Sequence, residues 1–174
     1  MGYPYKTILC PLDFDDNSMA ALAHARRLAI DMGATLHLLH VLPILPMLAD
    51  QGVAAGVDEA AGQEAARRLK DIVRRRLSRT RTEIHTRIVF VSEVPKTILA
   101  FARERGADLI VLATHRRGAL EHFFLGSVAE AVVRNAACPV LTLHFAPPAQ
   151  AEAAKPANAA KPAARSKKAP AARR

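Results

Sequence analysis

The sequence predicts an α/β fold in which a parallel sheet is covered by helices on both faces. Apolar runs that suit strands alternate with helical patterns along residues 5–145. The runs are about four to eight residues long and mostly apolar throughout, which is typical of strands buried on both faces. Because right-handed crossovers connect parallel strands, this alternation indicates an open, doubly wound sheet.

The first strand is predicted in residues 5–13, YKTILCPLD, which end in a proline and an aspartate that suit a turn. Residues 17–34 form the first predicted helix. Its apolar residues recur at helical spacing: Ala21, Leu22, Ala25, Leu28 and Ala29. Asn17 or Ser18 is expected to cap the start of this helix, and Gly33 its end.

The second strand is predicted in residues 35–42, TLHLLHVL, and a long loop follows at residues 43–57. This loop exceeds the usual length of a connection, so it is a candidate lid. A second helix is expected at residues 58–79. Its apolar face comprises Ala65, Leu69, Ile72, Val73 and Leu77. Its opposite face is basic and comprises Arg67, Arg68, Lys70, Arg74 and Arg75.

Three strands and two helices are expected in the rest of the folded region. The strands are EIHTRIVFV, DLIVLAT and PVLTLHF, at residues 83–91, 108–114 and 139–145. The helices are PKTILAFARERG and SVAEAVVRNAA, at residues 95–106 and 127–137. Pro95 suits the first turn of its helix.

The end of the chain has a different composition. Residues 146–174 hold seven lysines and arginines against one acid, Glu152, and so carry +6 of the net charge of +9. With no large apolar side chain after Phe145, this segment cannot offset the entropy of folding. We therefore expect a folded domain at residues 1–145 and a disordered basic tail at residues 146–174. The tail either binds nucleic acid without sequence specificity or only keeps the protein in solution.

Several classes of protein do not fit the sequence. No run reaches the roughly 18 to 20 apolar residues of a membrane span, and no signal peptide is expected. Cys10 and Cys138 lack the spacing of a metal or redox motif, so a cytoplasmic location is expected. His37 and His40 should lie on opposite faces of a strand and share no metal. No arrangement typical of a nucleophilic or acid–base catalyst is visible, so we expect no enzymatic activity.

Ligands of doubly wound folds bind outside the carboxyl ends of the strands, where the strand order reverses. The predicted elements place four segments at this edge: Pro11 to Phe14, Val41 and Leu42, Val91 to Glu93, and Thr114 to Ser127. A binding site is therefore expected there.

Three segments resemble the universal stress protein family: ILCPLDFDDNSMAALAHARRLA, ADLIVLATHRRG and GSVAEAVVRNAACPVLTL, at residues 8–29, 107–118 and 126–143. The resemblance covers residues 3–145. It implies a five-stranded sheet in the order 3-2-1-4-5, the adenine nucleotide alpha hydrolase-like fold. It also implies a homodimer, commonly built by pairing the fifth strands. For one branch of the family it further implies the binding of ATP, with magnesium.

The ATP-binding branch carries G-x-x-G, nine further residues, and then G-S or G-T. The corresponding residues here are Ala113, Arg116, Gly126 and Ser127, so the last pair matches and the first two glycines are replaced. Alanine adds only a methyl group. Arg116 costs on the order of 1 kcal/mol if its position needs positive φ, although its guanidinium could also bind phosphate.

The resemblance implies roles for residues at the other strand ends. Asp13 matches an aspartate that contacts the nucleoside, although an Asx-turn would explain it as well. Val41 matches a position whose backbone meets the adenine, or is a plain strand end. The full set of candidate nucleotide-binding residues is Pro11, Leu12, Asp13, Val41, Ala113, His115, Arg116, Gly126, Ser127 and Val128.

Ser127 has a second interpretation, because SVAE matches a capping box. In that motif Ser127 accepts the backbone N–H of Glu130, and the Glu130 side chain reaches back. Both roles are compatible at the amino end of a helix. Two functions remain open. The first is a stress-response dimer that binds an adenine nucleotide, favoured by Asp13, Gly126 and Ser127. The second, favoured by Arg116, is a nucleotide-independent interaction module whose basic tail binds nucleic acid or acidic partners without sequence specificity.

Overall fold

Five parallel strands form the sheet. In chain order they are β1 (Thr7–Leu12), β2 (Thr35–Pro43), β3 (Ile84–Val91), β4 (Leu109–Thr114) and β5 (Val140–His144). The four α-helices of the described residues are α1 (Asp16–Met32), α2 (Glu59–Ile72), α3 (Val94–Glu104) and α4 (Ser127–Asn135). The strand order β3-β2-β1-β4-β5 confirms the predicted fold class and topology. The computed structural model describes residues 4–44, 59–78, 81–114 and 126–144.

The sheet separates two apolar cores, because successive side chains of a strand point to opposite faces. On β1, Ile8 and Cys10 face α1 and α2, where they pack in one cluster with Leu22. Leu9 of the same strand faces α3 and α4 and packs in the other cluster with Ile98. Helices therefore cover both faces of the sheet, as the alternation of elements predicts.

The start of α1 differs from the prediction. Asp15, rather than Asn17 or Ser18, is the N-cap residue, and its carboxylate accepts the backbone N–H of Ser18 at 2.6 Å. All of these residues suit a cap, and the helix begins early enough to place Asn17 and Ser18 inside its first turn. The predicted end is confirmed, since Gly33 adopts φ 64° and closes the helix on the carbonyls of Ala29 and Ile30.

The capping box predicted for α4 is wrong. Gly126 is the N-cap residue, and Ser127 is already the first residue of the helix. The backbone N–H of Glu130 donates to the carbonyl of Gly126 at 2.9 Å, so it does not need the Ser127 hydroxyl. The Glu130 carboxylate pairs instead with Arg134, one turn further along, at 2.7 Å.

The second helix follows the predicted pattern but changes its winding. It is α-helical to Ile72 and continues as a π-helical turn at Val73–Leu77. Ala65, Leu69 and Leu77 of the predicted apolar face are buried. Its basic face is exposed, as predicted.

Several predictions fall on residues that the structure does not describe: most of the candidate lid, His115, Arg116 and the tail at residues 146–174. They stay predictions. Among the described residues, no helix combines the length and the hydropathy needed to cross a bilayer.

Candidate functional site

A cleft with a volume of about 570 Å³ opens at the carboxyl ends of β1, β2 and β4. The strand order reverses between β1 and β4, so the cleft lies at the expected edge of the sheet. Eight of the predicted site residues line it: Pro11, Leu12, Asp13, Val41, Ala113, Gly126, Ser127 and Val128. His115 and Arg116, the remaining two, lie outside the described residues. The fold thus brings the described candidates together, and their binding of a nucleotide stays a prediction.

Asp13 follows β1 at the rim of this cleft. Its Oδ1 accepts the backbone N–H of Asp15 at 3.1 Å, so the predicted Asx-turn is present. The side chain is exposed and also lines the cleft. The turn therefore holds the carboxylate beside the space that a ligand would occupy, and the two interpretations of Asp13 are compatible.

Phe14, the next residue, has φ 68° and is the one non-glycine residue with positive φ in the described ranges. This left-handed conformation costs a non-glycine residue roughly 1–2 kcal/mol. The Phe14 ring packs against the ring of His40, with centroids 4.1 Å apart and planes tilted by 32°. The guanidinium of Arg68 lies 5.7 Å from the centre of the same ring. Phe14, a strained residue, thus contacts two side chains and directly follows Asp13 in the chain.

His40 also contacts the backbone of β1. Its Nδ1 lies 2.7 Å from the carbonyl oxygen of Leu12, so the ring donates an N–H to that carbonyl. Burial lowers the pKa of His40 below its usual 6.5, and Arg68 lowers it further. The Leu12 carbonyl and the Asp13 carboxylate raise the pKa, but they do not reverse the effect of burial. The imidazole is therefore neutral at pH 7.

The inner wall of the cleft is apolar. Its apolar lining comes from three elements: Leu39 and Val41 of β2, Val94 and Ile98 of α3, and Leu112 of β4. The lining residues absent from the predicted set are Ser18, Leu39, Pro43, Val94, Ile98, Leu112 and Ala129. Strand alternation could have found Leu39 and Pro43, since they share a face with Val41.

Leu42 and residues 91–93 lie at this edge of the sheet, as expected, but they do not line the cleft. Leu42 points to the other face of β2, because it lies between Val41 and Pro43. On the β3 side, the cleft is lined by residues of α3, the helix that follows β3, rather than by the end of β3 itself.

The amino end of α4 forms the other polar part of the cleft. The first hydrogen bond of this helix joins the Glu130 N–H to the Gly126 carbonyl, so the earlier N–H groups lack an intrahelical partner. These groups and the positive end of the helix dipole favour an anion. Gly126 has φ −50°, which any residue adopts, and a Cβ there would meet no heavy atom of the described residues within 4 Å. Its backbone therefore borders open space in the cleft.

Ala113, which replaces the first motif glycine, lies on β4 and is paired in register with Leu143 of β5. It is half-buried and is not among the described residues with positive φ. An alanine therefore fits this strand position without backbone strain, and the only cost of the replacement is one methyl group at the cleft.

His37 and His40 lie on opposite faces of the sheet, as predicted. His37 contacts Phe101 of α3 and stacks on His85 at 4.9 Å between ring centroids, whereas His40 contacts Phe14 on the other side. Among the described residues, no group of three or more His, Cys, Asp or Glu side chains could hold a metal ion.

Comparison with known proteins agrees with the fold. The model of the Universal stress protein family matches residues 4–144. Universal stress protein MJ0531 of Methanocaldococcus jannaschii is 35% identical over 142 residues, which make up 80% of this chain and 82% of that protein.

Two solved structures are similar over most of their length. A universal stress protein family member from Burkholderia pseudomallei is 34% identical, with a TM-score of 0.64 over 82% of this chain and 98% of the other. A universal stress protein crystallised in complex with cAMP is 25% identical, with a TM-score of 0.54 over 80% of this chain and 97% of the other.

Proposed function

Since this chain belongs to the universal stress protein family, we propose that its cleft binds an adenine nucleotide, with ATP and magnesium as the first candidate. One observation carries the proposal. The Asp13 carboxylate and the amino end of α4 border the same cleft, and an apolar wall lies in it. A nucleotide carries groups that match these three parts: a flat base, a ribose with hydroxyl donors, and anionic phosphates.

Each part of the cleft suits one part of the ligand. Leu39, Val41 and Ile98 offer apolar surface to the base. The Asp13 carboxylate suits the ribose hydroxyls, which are hydrogen-bond donors. The N–H groups at the start of α4 suit phosphate oxygens, and the exposed hydroxyl of Ser127 adds a donor beside them. The cleft volume lies within the roughly 300–1,000 Å³ typical of small-molecule sites.

A related protein supports the same ligand class. The structure in complex with cAMP, an adenine nucleotide, is similar to this chain over 80% of its length. Magnesium would enter with the phosphates, because the described residues form no cluster of metal ligands. We propose a binding role rather than a catalytic one.

The direct test is to denature freshly purified protein and identify any released nucleotide by mass spectrometry. Calorimetry with ATP and magnesium then measures the affinity of the emptied protein. We expect an adenine nucleotide in the first experiment or a binding isotherm in the second. Absence of both would overturn the proposed function.

A second candidate function concerns the tail, whose charge of +6 favours binding to nucleic acid. We propose that residues 146–174 bind phosphate backbones without sequence specificity, while the folded domain forms a homodimer through β5. This function needs no nucleotide in the cleft, so the two candidates can be tested separately.

A further inference from the structure

We propose that His40 is a positioning residue for the nucleotide: its imidazole contacts the turn after β1 from the other face of the sheet and so keeps Asp13 at the cleft. The inference rests on the proposed function, because it concerns the residue expected to meet the ribose. His40 itself does not line the cleft. It lies on the opposite face of the sheet, towards α1 and α2.

The contact is located where the pairing of the two strands ends. Leu12 and His40 are register partners at the last paired position of β1 and β2. Beyond this point the backbone ladder no longer restrains β1, and the His40 side chain adds a bond of 2.7 Å to the Leu12 carbonyl. The last residue before Asp13 is therefore fixed by a side chain of the neighbouring strand.

The second contact acts on the residue after Asp13. Phe14 has φ 68°, a conformation that a bulky residue keeps only when its surroundings impose it. The His40 ring supports the Phe14 ring at 4.1 Å between centroids, and Arg68 lies near the same ring. One imidazole thus contacts both neighbours of Asp13 in the chain.

These contacts determine the direction of the Asp13 carboxylate. The backbone N–H of Asp15 donates to Asp13 Oδ1 at 3.1 Å, and the Asp15 carboxylate in turn caps α1 through the N–H of Ser18. If the Leu12 carbonyl and Phe14 were released, the Asx-turn between them would lose its fixed ends. Asp13 would then be ordered only on binding, at an entropic cost to affinity.

A role in packing alone makes a different prediction from a positioning role. For packing, His40→Leu should be mild, and His40→Asn should be worse because it places an amide in an apolar core. For positioning, the order is reversed. The amide nitrogen of asparagine reaches the place of Nδ1 and can donate to the Leu12 carbonyl, whereas leucine cannot.

The experiment measures ATP affinity by calorimetry for the full chain and for His40→Asn, His40→Leu and His37→Leu. We expect His40→Leu to bind about tenfold more weakly, the effect of one lost buried hydrogen bond, and His40→Asn to lie between it and the wild type. His37→Leu is the matched control, because His37 is also a buried histidine of β2 but contacts neither Leu12 nor Phe14. It should bind as the wild type does. Equal affinity for all variants, or weaker binding by His40→Asn than by His40→Leu, would overturn the proposal.

A ligand-free measurement separates this proposal from the proposed function. Hydrogen exchange at the amides of Asp15 and Ser18 reports the turn directly, since both amides donate to its carboxylates. We expect faster exchange in His40→Leu, and in Phe14→Asn, which tolerates positive φ but lacks the ring, and unchanged exchange in His37→Leu. If the wild type binds no ATP, the proposed function fails while this exchange pattern still supports the positioning role. Unchanged exchange in both His40→Leu and Phe14→Asn would overturn it.

Discussion

The carbonyl oxygen of Gly126 accepts the backbone N–H of Glu130 at 2.9 Å, so Gly126 is the N-cap residue of α4 and Ser127 is the first residue inside the helix. The N–H groups before Glu130 therefore lie at the amino end of the helix, beside the cleft. Gly126 itself lines that cleft, and its backbone angles suit any residue. A substitution at this position therefore changes the helix cap and the charge beside the anion site together.

Gly126→Asp should stabilise the fold and weaken nucleotide binding. Aspartate is a better N-cap than glycine and complements the helix dipole, so the free energy of unfolding should rise by up to about 1 kcal/mol. The same carboxylate would repel phosphates, so ATP affinity should fall by about tenfold or more. Denaturant titration and calorimetry measure the two effects. Gly126→Asn, the uncharged control, should stabilise similarly and bind more tightly than Gly126→Asp. Equal affinity for the two variants would contradict phosphate binding here.

Asp13→Ala should weaken ATP binding, because it removes the carboxylate proposed to accept the ribose hydroxyls. Asp31→Ala is the control, since Asp31 is an exposed aspartate that pairs with Arg27 at the far end of α1. Calorimetry should give wild-type affinity for the control and weaker binding for Asp13→Ala.

Arg116→Gly, which restores the family glycine, should leave binding intact or tighten it. No heat for either the wild type or Arg116→Gly would refute nucleotide binding by this chain.

The stability of the fold should fall as the pH drops below about 6.5. Burial lowers the pKa of both His37 and His40. His85 and Arg105 lower the pKa of His37 further, and Arg68 lowers that of His40. The unfolded chain, with pKa values near 6.5, then binds more protons than the folded chain between that pH and the lowered values. Urea unfolding from pH 7.5 to 5 should show this loss, and replacing both histidines with glutamine should reduce the slope. An identical slope in the double variant would assign the loss to other groups.

The full chain should be a homodimer in solution. β5 is the edge strand next to β4, and its residues Val140 to Leu143 are half-buried. A bare edge with apolar residues is a site for pairing with another strand, and a two-fold copy of β5 would satisfy it. Light scattering at micromolar concentration and high salt, which screens the tail, should give twice the mass of the chain. A monomeric mass would contradict pairing through β5.

The sequence predicted the sheet and eight of the fifteen residues that line the cleft, but not the contacts that shape it. Buried strands such as β4 are continuous apolar runs, and the carboxyl-end rule then located Asp13, Val41 and Gly126. The cap of α4 was wrong by one residue, because Gly126 and Ser127 are both acceptable caps and local sequence does not choose between them. The contact of His40 with Leu12 joins residues 28 positions apart, so it appears only when β1 and β2 pair.

Removing residues 146–174 should abolish binding to DNA while leaving nucleotide binding in the cleft unchanged. The tail carries seven cations and one acid, and it contains no aromatic residue that could stack on a base. Binding should therefore be indifferent to sequence and weaken with salt, with a logarithmic slope of about −0.9 per phosphate neutralised. Gel shifts with random duplexes at increasing salt measure both properties for the full chain and the truncated one. Binding that survives truncation would place the interaction on the folded domain, where the exposed basic face of α2 is the alternative. If the full chain fails to bind at low salt, the tail only keeps the protein in solution.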